Sequence, residues 1–376
     1  MKIVLAPDSF KGSLSAKELC AAMRKGIERC SNNYNIIDKP LADGGEGTME
    51  NLVLATDGII QHTTVCDPLG RMIKSSYGIL GDRKTVVIEM ALASGLPLLS
   101  EGERNPLKAT SFGTGQLIKS ALDEGYREFI IGLGGSATND AGVGMLKALG
   151  ARFHNSQGEL LEKDNMEAFV GLSHIDATGL DPRIRESNFL IASDVQSPLC
   201  GETGASAVFG PQKGATPDMI EILDTALARF AQVVNSQGGI DPLLIPGAGA
   251  AGGMGAALLS FFDAKMVSGI DVYIEKVDLR KEIMDADLII TGEGKLDHQT
   301  LSGKVIAGVC SVARQYDVPV VALCGKNELT GNSMNELGLL AGLSITPGPC
   351  TLDEAFKYTE EWVADSSEQI IRLIGR

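Results

Sequence analysis

The feature that most constrains the fold of this chain is an alternation of short, β-rich apolar runs with helical patterns. The opening unit is the clearest: residues 3–6 (Ile-Val-Leu-Ala) predict a buried strand, and a loop over residues 7–14 follows. Ser15 and Glu18 then have the Ser-x-x-Glu spacing of a capping box, and apolar side chains continue at helical spacing. Strands that alternate with helices in this way indicate an α/β protein with a largely parallel sheet.

The middle of the chain has a different pattern. Residues 62–65, 75–80 and 85–89 predict three strands in quick succession, joined by short turns, which indicates an antiparallel or mixed sheet. The alternation of strand and helix returns after residue 287. We therefore predict a doubly wound, mostly parallel-sheet domain formed by both chain ends, with an inserted mixed-sheet α/β domain. The predicted bounds are residues 1–60 and 280–376 for the Rossmann-like domain and 61–279 for the inserted one.

The net charge narrows the choice of partners. The chain has 33 Lys and Arg against 48 Asp and Glu, a formal charge of −15. Such a chain repels nucleic acid and anionic lipid, so the expected partners are small molecules. The seven cysteines include no Cys-x-x-Cys pair, which argues against a zinc site and a disulfide framework. The N-terminus lacks the apolar run of a signal peptide, and the uncharged residues 245–262 hold too few large apolar side chains for a bilayer span. We therefore predict a cytoplasmic protein.

Five loops concentrate polar residues where an open α/β sheet binds its ligands, after the carboxyl ends of strands. The first contains Ser9, Lys11 and Ser13, between the opening strand and its capped helix. A lysine beside hydroxyl groups at the start of a helix suits an anionic ligand. The alternative for this loop is a helix cap with a solvated lysine.

Two further loops offer carboxylates to a metal ion or a substrate proton. The tract of Asp43, Gly44, Gly45 and Glu46 holds more glycine and carboxylate than a simple turn requires, and Asp194 follows an apolar strand. Such carboxylates hold Mg²⁺ or accept a proton from a hydroxyl group. The alternatives are a tight turn at the first loop and a turn aspartate before proline at the second.

The third loop has the composition of a phosphate cradle. A glycine run follows a strand and ends in hydroxyl, amide and carboxylate groups. It lacks the Gly-Lys-Ser/Thr ending of a Walker A loop. The candidate residues are Gly134, Gly135, Ser136, Asn139 and Asp140.

The fifth loop follows residues 288–290 and is the densest in functional groups. Glu293, Lys295, Asp297 and Gln299 place two carboxylates, a lysine and an amide within seven residues. That density predicts a binding site more strongly than any one of these side chains does.

Residues 247–252 (Gly-Ala-Gly-Ala-Ala-Gly) support an alternative interpretation, a dinucleotide-binding site. They fit the dinucleotide fingerprint, and Asp271 lies about the expected distance further on. Pro246 argues against it, because it stands where the preceding strand should end. An NAD(P)-dependent hydroxyacid dehydrogenase is therefore one alternative, and a non-catalytic sugar-acid binding protein is another.

Seven segments occur in one order along nearly the whole chain: residues 6–13 (APDSFKGS), 40–48 (PLADGGEGT), 89–96 (EMALASGL), 110–115 (TSFGTG), 134–140 (GGSATND), 247–253 (GAGAAGG) and 291–299 (TGEGKLDHQ). In this order they resemble the glycerate kinase family, in its bacterial type. Two positions depart from the family pattern: Ala141 stands where glycine is usual and Ser197 where asparagine is usual. Neither residue is one of the proposed charged groups, so the departures bear on fine geometry.

The resemblance implies a two-domain α/β enzyme that uses ATP and Mg²⁺ to phosphorylate D-glycerate, with 2-phosphoglycerate as the favoured product. We hypothesise that Lys11 contacts the transferring phosphate or the substrate carboxylate, and that Asp43 or Asp194 orients the attacking hydroxyl or binds Mg²⁺. Glu293 and Asp297 would complete the metal or substrate shell. The remaining candidates would bind phosphate or substrate: Ser9, Ser13, Gly44, Gly45, Glu46, Gly134, Gly135, Ser136, Asn139, Asp140, Lys295 and Gln299. These loops are expected to converge into one polyanion pocket that spans a cleft.

Overall fold

The computed structural model describes residues 1–42, 47–161, 165–298, 300–302 and 305–374. The chain divides into two compact units: the first is Met1–Asp43, Leu54–Thr56 and Ile270–Arg376, and the second is Gly44–Val53 and Asp57–Gly269. None of the helices in the described ranges combines the length and the apolar composition that a bilayer crossing requires.

Strands and helices alternate at both ends of the chain, as the sequence pattern predicts. The strands are β1 (Lys2–Leu5), β2 (Asn35–Asp38), β3 (Ile59–Cys66), β4 (Met72–Ile79), β5 (Thr85–Glu89), β6 (Glu128–Gly132), β7 (Arg152–Asn155), β8 (Leu172–Asp176), β9 (Asn188–Ala192), β10 (Lys265–Val267), β11 (Leu288–Leu296), β12 (Val320–Asn327) and β13 (Ala341–Ser344). The helices are α1 (Ala16–Glu28), α2 (Thr48–Ala55), α3 (Ala91–Ser94), α4 (Phe112–Asp123), α5 (Val143–Ala148), α6 (Met166–Phe169), α7 (Ala205–Phe209), α8 (Pro217–Ser236), α9 (Ala250–Phe261), α10 (Gly269–Lys276), α11 (Leu279–Ile283), α12 (Val305–Arg314), α13 (Gly331–Leu337) and α14 (Leu352–Ile374). Short 3₁₀ turns cover Leu96–Leu98, Glu101–Glu103, Pro182–Glu186, Pro211–Lys213, Pro242–Leu244 and Thr300–Ser302.

The first unit is built on a parallel sheet with the strand order β13-β12-β11-β1-β2. Apolar residues of β1, β11 and β12 are buried against helices α1 and α14. The predicted capping box is confirmed: Glu18 N donates to Ser15 Oγ, and Ser15 N donates to Glu18 Oε2 at 2.8 Å. Because the cap sets the start of α1 at Ala16, the loop between β1 and α1 is left available for other contacts.

The second unit is built on a mixed sheet with the strand order β10-β9-β6-β5-β4-β3. The pairs β3–β4 and β4–β5 are antiparallel, whereas β5–β6, β6–β9 and β9–β10 are parallel. The core includes Phe129 stacked on Phe189, with ring centroids 4.7 Å apart. The predicted fold class, a parallel sheet from the chain ends and a mixed sheet from the middle, is confirmed by these pairings.

The contact between α1 and α14 gives a test of the first unit. A Cβ at Gly26 would lie 1.9 Å from the carbonyl oxygen of Ala364. We therefore expect Gly26→Ala to lower the free energy of unfolding by about 1–3 kcal/mol, because the helices must separate to admit the methyl group. The matched control is Gly331→Ala at the start of α13, where an added Cβ meets nothing within 4 Å. Its expected change is within about 0.5 kcal/mol.

Urea unfolding followed by circular dichroism measures both variants. Equal stability of the Gly26→Ala and Gly331→Ala proteins would contradict the close approach of these two helices.

Candidate active site

The first unit contains a pocket of about 500 Å³ at the carboxyl ends of β1, β11 and β12. It brings together side chains from two of the five loops singled out in the sequence. The predicted site residues that line it are Ser9, Lys11, Ser13, Glu293, Lys295 and Asp297. Asp8 and Lys326 add a further carboxylate and a further ammonium group. A pocket with both signs of charge at this edge of a parallel sheet is suited to a charged small molecule.

The loop after β1 is held beside β11 by backbone hydrogen bonds. Asp8 N donates to Gly292 O at 2.8 Å, and Ser9 N donates to Asp8 Oδ1 at 2.7 Å. The bond from Asp8 N continues the parallel ladder beyond β1, and the Ser9 bond is local to the loop, whose residues Ser9, Lys11 and Ser13 line the pocket. Ser15, directly after this loop, supplies the cap of α1, and Lys11 is exposed. The choice between an anion-binding lysine and a solvated one stays open.

Ser13 has a different contact from the one predicted. Its Oγ donates to Thr359 Oγ1 at 2.8 Å, and Thr359 Oγ1 donates to Ala355 O at 2.6 Å. Both partners belong to α14. The Ser13 hydroxyl therefore anchors the loop to that helix, and its predicted role as a substrate ligand stays a prediction.

The predicted fifth loop is, for most of its length, a strand. Glu293 and Lys295 lie within β11, where they pair with Cys324 and Lys326 of β12. Because alternate residues of a strand share a face, the strand itself directs Glu293 and Lys295 to the same side. Thr300 joins two of the pocket carboxylate residues: its Oγ1 donates to Glu293 Oε1 and accepts from Asp297 N. Gly292 and Gly294 are the reason that the sequence predicts a loop here, because glycine has a low strand propensity.

Two lysines of the pocket are paired with carboxylates. Lys295 Nζ lies 2.8 Å from Glu328 Oε2 and 3.1 Å from Asp297 Oδ2, and Lys326 Nζ lies 2.7 Å from Glu328 Oε1. Hydrogen bonds to Glu328 and Asp297 raise the pKa of Lys295, and those from Lys295 and Lys326 lower the pKa of Glu328. Lys11 is exposed and makes no ion pair within the described part of the chain. Its charge is the one that these contacts leave unneutralised.

The glycine turn after β6, in the second unit, rests on a buried lysine. Gly134 and Gly135 are accessible to solvent, whereas Ser136 is buried. Lys213, which is 1% exposed, donates from Nζ to Ser136 Oγ at 2.9 Å and to Thr138 O at 2.7 Å. Burial lowers the pKa of Lys213 to about 7, against the opposing effect of the Asp140 charge. Sequence reasoning missed this residue, whose signal was a single lysine within the otherwise uncharged residues 209–215.

Asn139 and Asp140 lie inside the second unit. Asp140 Oδ2 accepts from Ser111 N and Gly144 N, at the starts of α4 and α5, and the side chain is 4% exposed. Asn139 Nδ2 donates to Ser206 Oγ at 2.8 Å, while its buried Oδ1 has no partner among the described residues. The carboxylate of Asp140 thus holds backbone in place, and its predicted contact with phosphate stays a prediction.

Three parallel strands of the second unit end at the same sheet edge. Asp194 is exposed just after β9, and Gly134 follows β6. Glu89, at the end of β5, accepts from Gly47 N at 3.3 Å and from Met49 N, so it holds the start of α2. Five predicted residues lie outside the described ranges: Asp43, Gly44, Gly45, Glu46 and Gln299.

The glycine run at residues 247–252 lacks the setting that a dinucleotide site requires. A 3₁₀ turn, Pro242–Leu244, precedes it in place of a strand. A Cβ at Gly252 would lie 2.2 Å from Thr138 O, and the residue has φ +67°. Glycine is therefore required here for close packing on the loop that Lys213 supports.

Fold and pocket together define an α/β protein with a charged pocket at the carboxyl edge of a parallel sheet. The model of the glycerate kinase family matches residues 3–375. The chain belongs to the glycerate kinase family, and membership implies a phosphotransferase of the kinase class.

Relatives share this length and fold. The chain is 45% identical over 374 residues to the glycerate kinase of Bacillus subtilis strain 168, covering 100% of this chain and 98% of the relative. It is 44% identical over 380 residues to the glycerate 2-kinase of Escherichia coli strain K12, with the same coverage. A crystal structure of a Salmonella typhimurium LT2 protein, provisionally named glycerate kinase 2, is similar with a TM-score of 0.89 at 45% identity. The similarity covers 100% of this chain and 98% of that one.

Proposed function

We propose that this protein transfers the γ-phosphoryl group of Mg-ATP to the 2-hydroxyl of D-glycerate, giving 2-phosphoglycerate, in the organic-acid metabolism of the cytoplasm. Family membership supports the kinase reaction, and the name glycerate 2-kinase of the Escherichia coli relative supports the position of transfer. The observation that carries the proposal is the pocket of the first unit. There, an ammonium group without an ion pair among the described residues, that of Lys11, shares one cavity with the carboxylates of Glu293 and Asp297.

The charges of the substrates explain why the pocket needs lysines. ATP carries about four negative charges and glycerate one more, while the chain itself carries −15. Phosphoryl transfer asks a protein mainly to position the reactants and to neutralise charge. We assign Lys11 to the transferring phosphate, since an ammonium that has no carboxylate partner among the described residues is placed to balance developing negative charge. Lys295 and Lys326 add weaker attraction, because Glu328 shares their charge.

The donor set fits Mg²⁺ that arrives with the nucleotide. No group of three metal-binding side chains occurs within the described ranges, but Mg²⁺ is usually held by one or two carboxylates together with substrate phosphates. Glu293 and Asp297 are the carboxylates in the pocket that would hold it. When bound, the ion supplies positive charge to the phosphate oxygens.

For the group that orients the attacking hydroxyl we retain Asp43 and Asp194 as candidates. Asp194 is exposed at the end of β9, at the sheet edge where Gly134 and Gly135 form their turn. A carboxylate exposed at such an edge is placed to accept a proton from a substrate hydroxyl.

A coupled assay of ADP release tests the proposal. We expect ADP to form only when D-glycerate, ATP and Mg²⁺ are all present, and EDTA to abolish the rate because the phosphate charge is then unbalanced. Adding back Mg²⁺ should restore the rate. A change in NAD(P)H absorbance on glycerate addition, with no ADP formed, would instead favour the dehydrogenase alternative. Glycerate binding without ATP consumption would favour the sugar-acid binding protein.

A further inference from the structure

One wall of the pocket in the first unit is apolar and belongs to the N-terminal half of α14. Leu352, Phe356 and Trp362 lie along this wall, with Phe10 and Ile345 on neighbouring elements. Leu352 is 68% exposed and Phe356 is 43% exposed. Large apolar side chains that line a cavity and face water gain free energy when a ligand covers them.

The wall is joined to the loop that carries Lys11. A Cβ at Gly12 would lie 3.4 Å from the tip of the Phe356 ring, and Ser13 Oγ donates to Thr359 Oγ1 at 2.8 Å. The apolar stripe and the ammonium group of Lys11, which has no ion pair among the described residues, therefore lie on two elements joined by a hydrogen bond. A ligand that uses both must have an apolar end and an anionic end.

The two proposed substrates differ in this respect. Glycerate is a three-carbon acid in which every carbon bears oxygen, so it has no apolar surface to place on this wall. ATP has a purine at one end and a triphosphate at the other. A volume of about 500 Å³ also lies within the range of cavities that hold ligands of nucleotide size.

We propose that the stripe of Leu352, Phe356 and Trp362 on α14 is the adenosine-binding wall of the nucleotide site, with the phosphates directed towards Lys11. This inference rests on the proposed use of ATP. It also gives Ser13 a role as a positioning residue, which fixes the wall to the phosphate end through Thr359.

The test uses ADP, which binds without turnover, and the full-length protein. Trp362 is the single tryptophan of the chain, so its fluorescence reports on the wall directly. We expect a saturable change in Trp362 fluorescence on addition of Mg-ADP, and a dissociation constant about tenfold or more higher in Phe356→Ala, which removes the aromatic surface beneath the base. Leu352→Ser should weaken ADP binding in the same direction. Leu373→Ala is the matched control, since Leu373 is on the same helix, 78% exposed and outside the pocket.

A second ligand separates loss of stacking from loss of folding. Calorimetric titration with tripolyphosphate, which lacks adenosine, should give the same dissociation constant in the wild type and in Phe356→Ala. Steady-state kinetics should show a raised KM for ATP and an unchanged KM for glycerate. Unchanged ADP affinity in both Phe356→Ala and Leu352→Ser, in a protein that phosphorylates glycerate, would overturn the inference and leave the proposed function intact. Failure of the wild type to phosphorylate glycerate would refute the proposed function, while the ADP titration would still decide where adenosine binds.

Discussion

Lys11→Ala is expected to lower kcat/KM for glycerate phosphorylation by a factor of about 100 to 1,000. Loss of one preorganised group that stabilises transition-state charge costs about 2.7–4 kcal/mol in enzymes. Lys11 fits that description because it lines the pocket, is exposed and makes no ion pair among the described residues. The loss should appear mainly in kcat if the ammonium stabilises the phosphoryl group in the transition state. It should appear mainly in KM if the ammonium only binds the substrate.

The matched control for this prediction is Lys17→Ala. Lys17 is an exposed lysine in the first turn of α1, outside the pocket, and its removal changes the net charge by the same amount. Steady-state kinetics on both variants, with unfolding curves to confirm their fold, give the comparison. If kcat/KM of Lys11→Ala stays within about threefold of the wild-type value, Lys11 contributes less than about 1 kcal/mol of transition-state stabilisation. That result would refute its assignment.

Lys213→Met is expected to change the pH dependence of stability. The folded-state pKa of Lys213 is lowered by burial to about 7, whereas an unfolded lysine titrates near 10.4. Between these values the unfolded chain binds more protons, so the contribution of Lys213 to stability rises with pH and falls as the pH drops towards 7. We subtract the unfolding free energy of Lys213→Met from that of the wild type. As the pH is raised from 6 to 9, this difference should increase by about 2–3 kcal/mol.

At high pH, the difference in unfolding free energy between the wild type and Lys213→Met depends on the hydrogen bonds that neutral Lys213 donates. A neutral Lys213 still donates to Ser136 Oγ and Thr138 O, and their loss costs about 1–3 kcal/mol when the acceptors stay buried. Urea unfolding at several pH values, followed by circular dichroism, measures the difference. Lys265→Met, at an exposed lysine of β10 in the same unit, is the control and should show no such trend. A wild-type minus Lys213→Met difference that stays flat from pH 6 to pH 9 would show that Lys213 does not titrate in this range.

Local signals in the sequence were sufficient for the fold class. The alternation of apolar runs with helical patterns predicts the parallel sheet, and the Ser15 capping box sets the start of α1 because both partners lie within four residues. The succession of short strands in the middle predicts the mixed sheet, since short turns allow antiparallel pairing. The domain bounds at residues 60 and 280 stay predictions.

For the residues of the candidate site, the sequence predicted both identity and position in a loop correctly only where the residue follows the end of a strand. Lys11 and Asp297 were found in this way, and they do line one pocket. Glu293 and Lys295 were found as residues but placed in a loop, because Gly292 and Gly294 lower strand propensity while the ladder with β12 overrides it. The convergence of all five loops in one pocket stays a prediction.

Long-range contacts explain what sequence reasoning missed. Lys213 is separated from Ser136 by 77 residues. No local sequence pattern therefore connects this lysine, in the 3₁₀ turn Pro211–Lys213, with the glycine turn after β6. The apolar stripe on α14 was not singled out by the sequence analysis. Its place at the pocket follows from the contacts of Ser13 Oγ with Phe356 O and Thr359 Oγ1, which join residues more than 340 positions apart in the sequence.

Phosphorus NMR of the reaction product is the most direct test of the central claim that this chain phosphorylates D-glycerate at its 2-hydroxyl. The wild-type protein, incubated with D-glycerate and Mg-ATP, should give ADP and one new phosphomonoester signal. That signal should split into a doublet, because phosphorus at the 2-position couples to a single carbon-bound proton. A triplet would place the phosphate on the CH₂ carbon and contradict the position of transfer, and the absence of any new phosphomonoester would contradict the account as a whole.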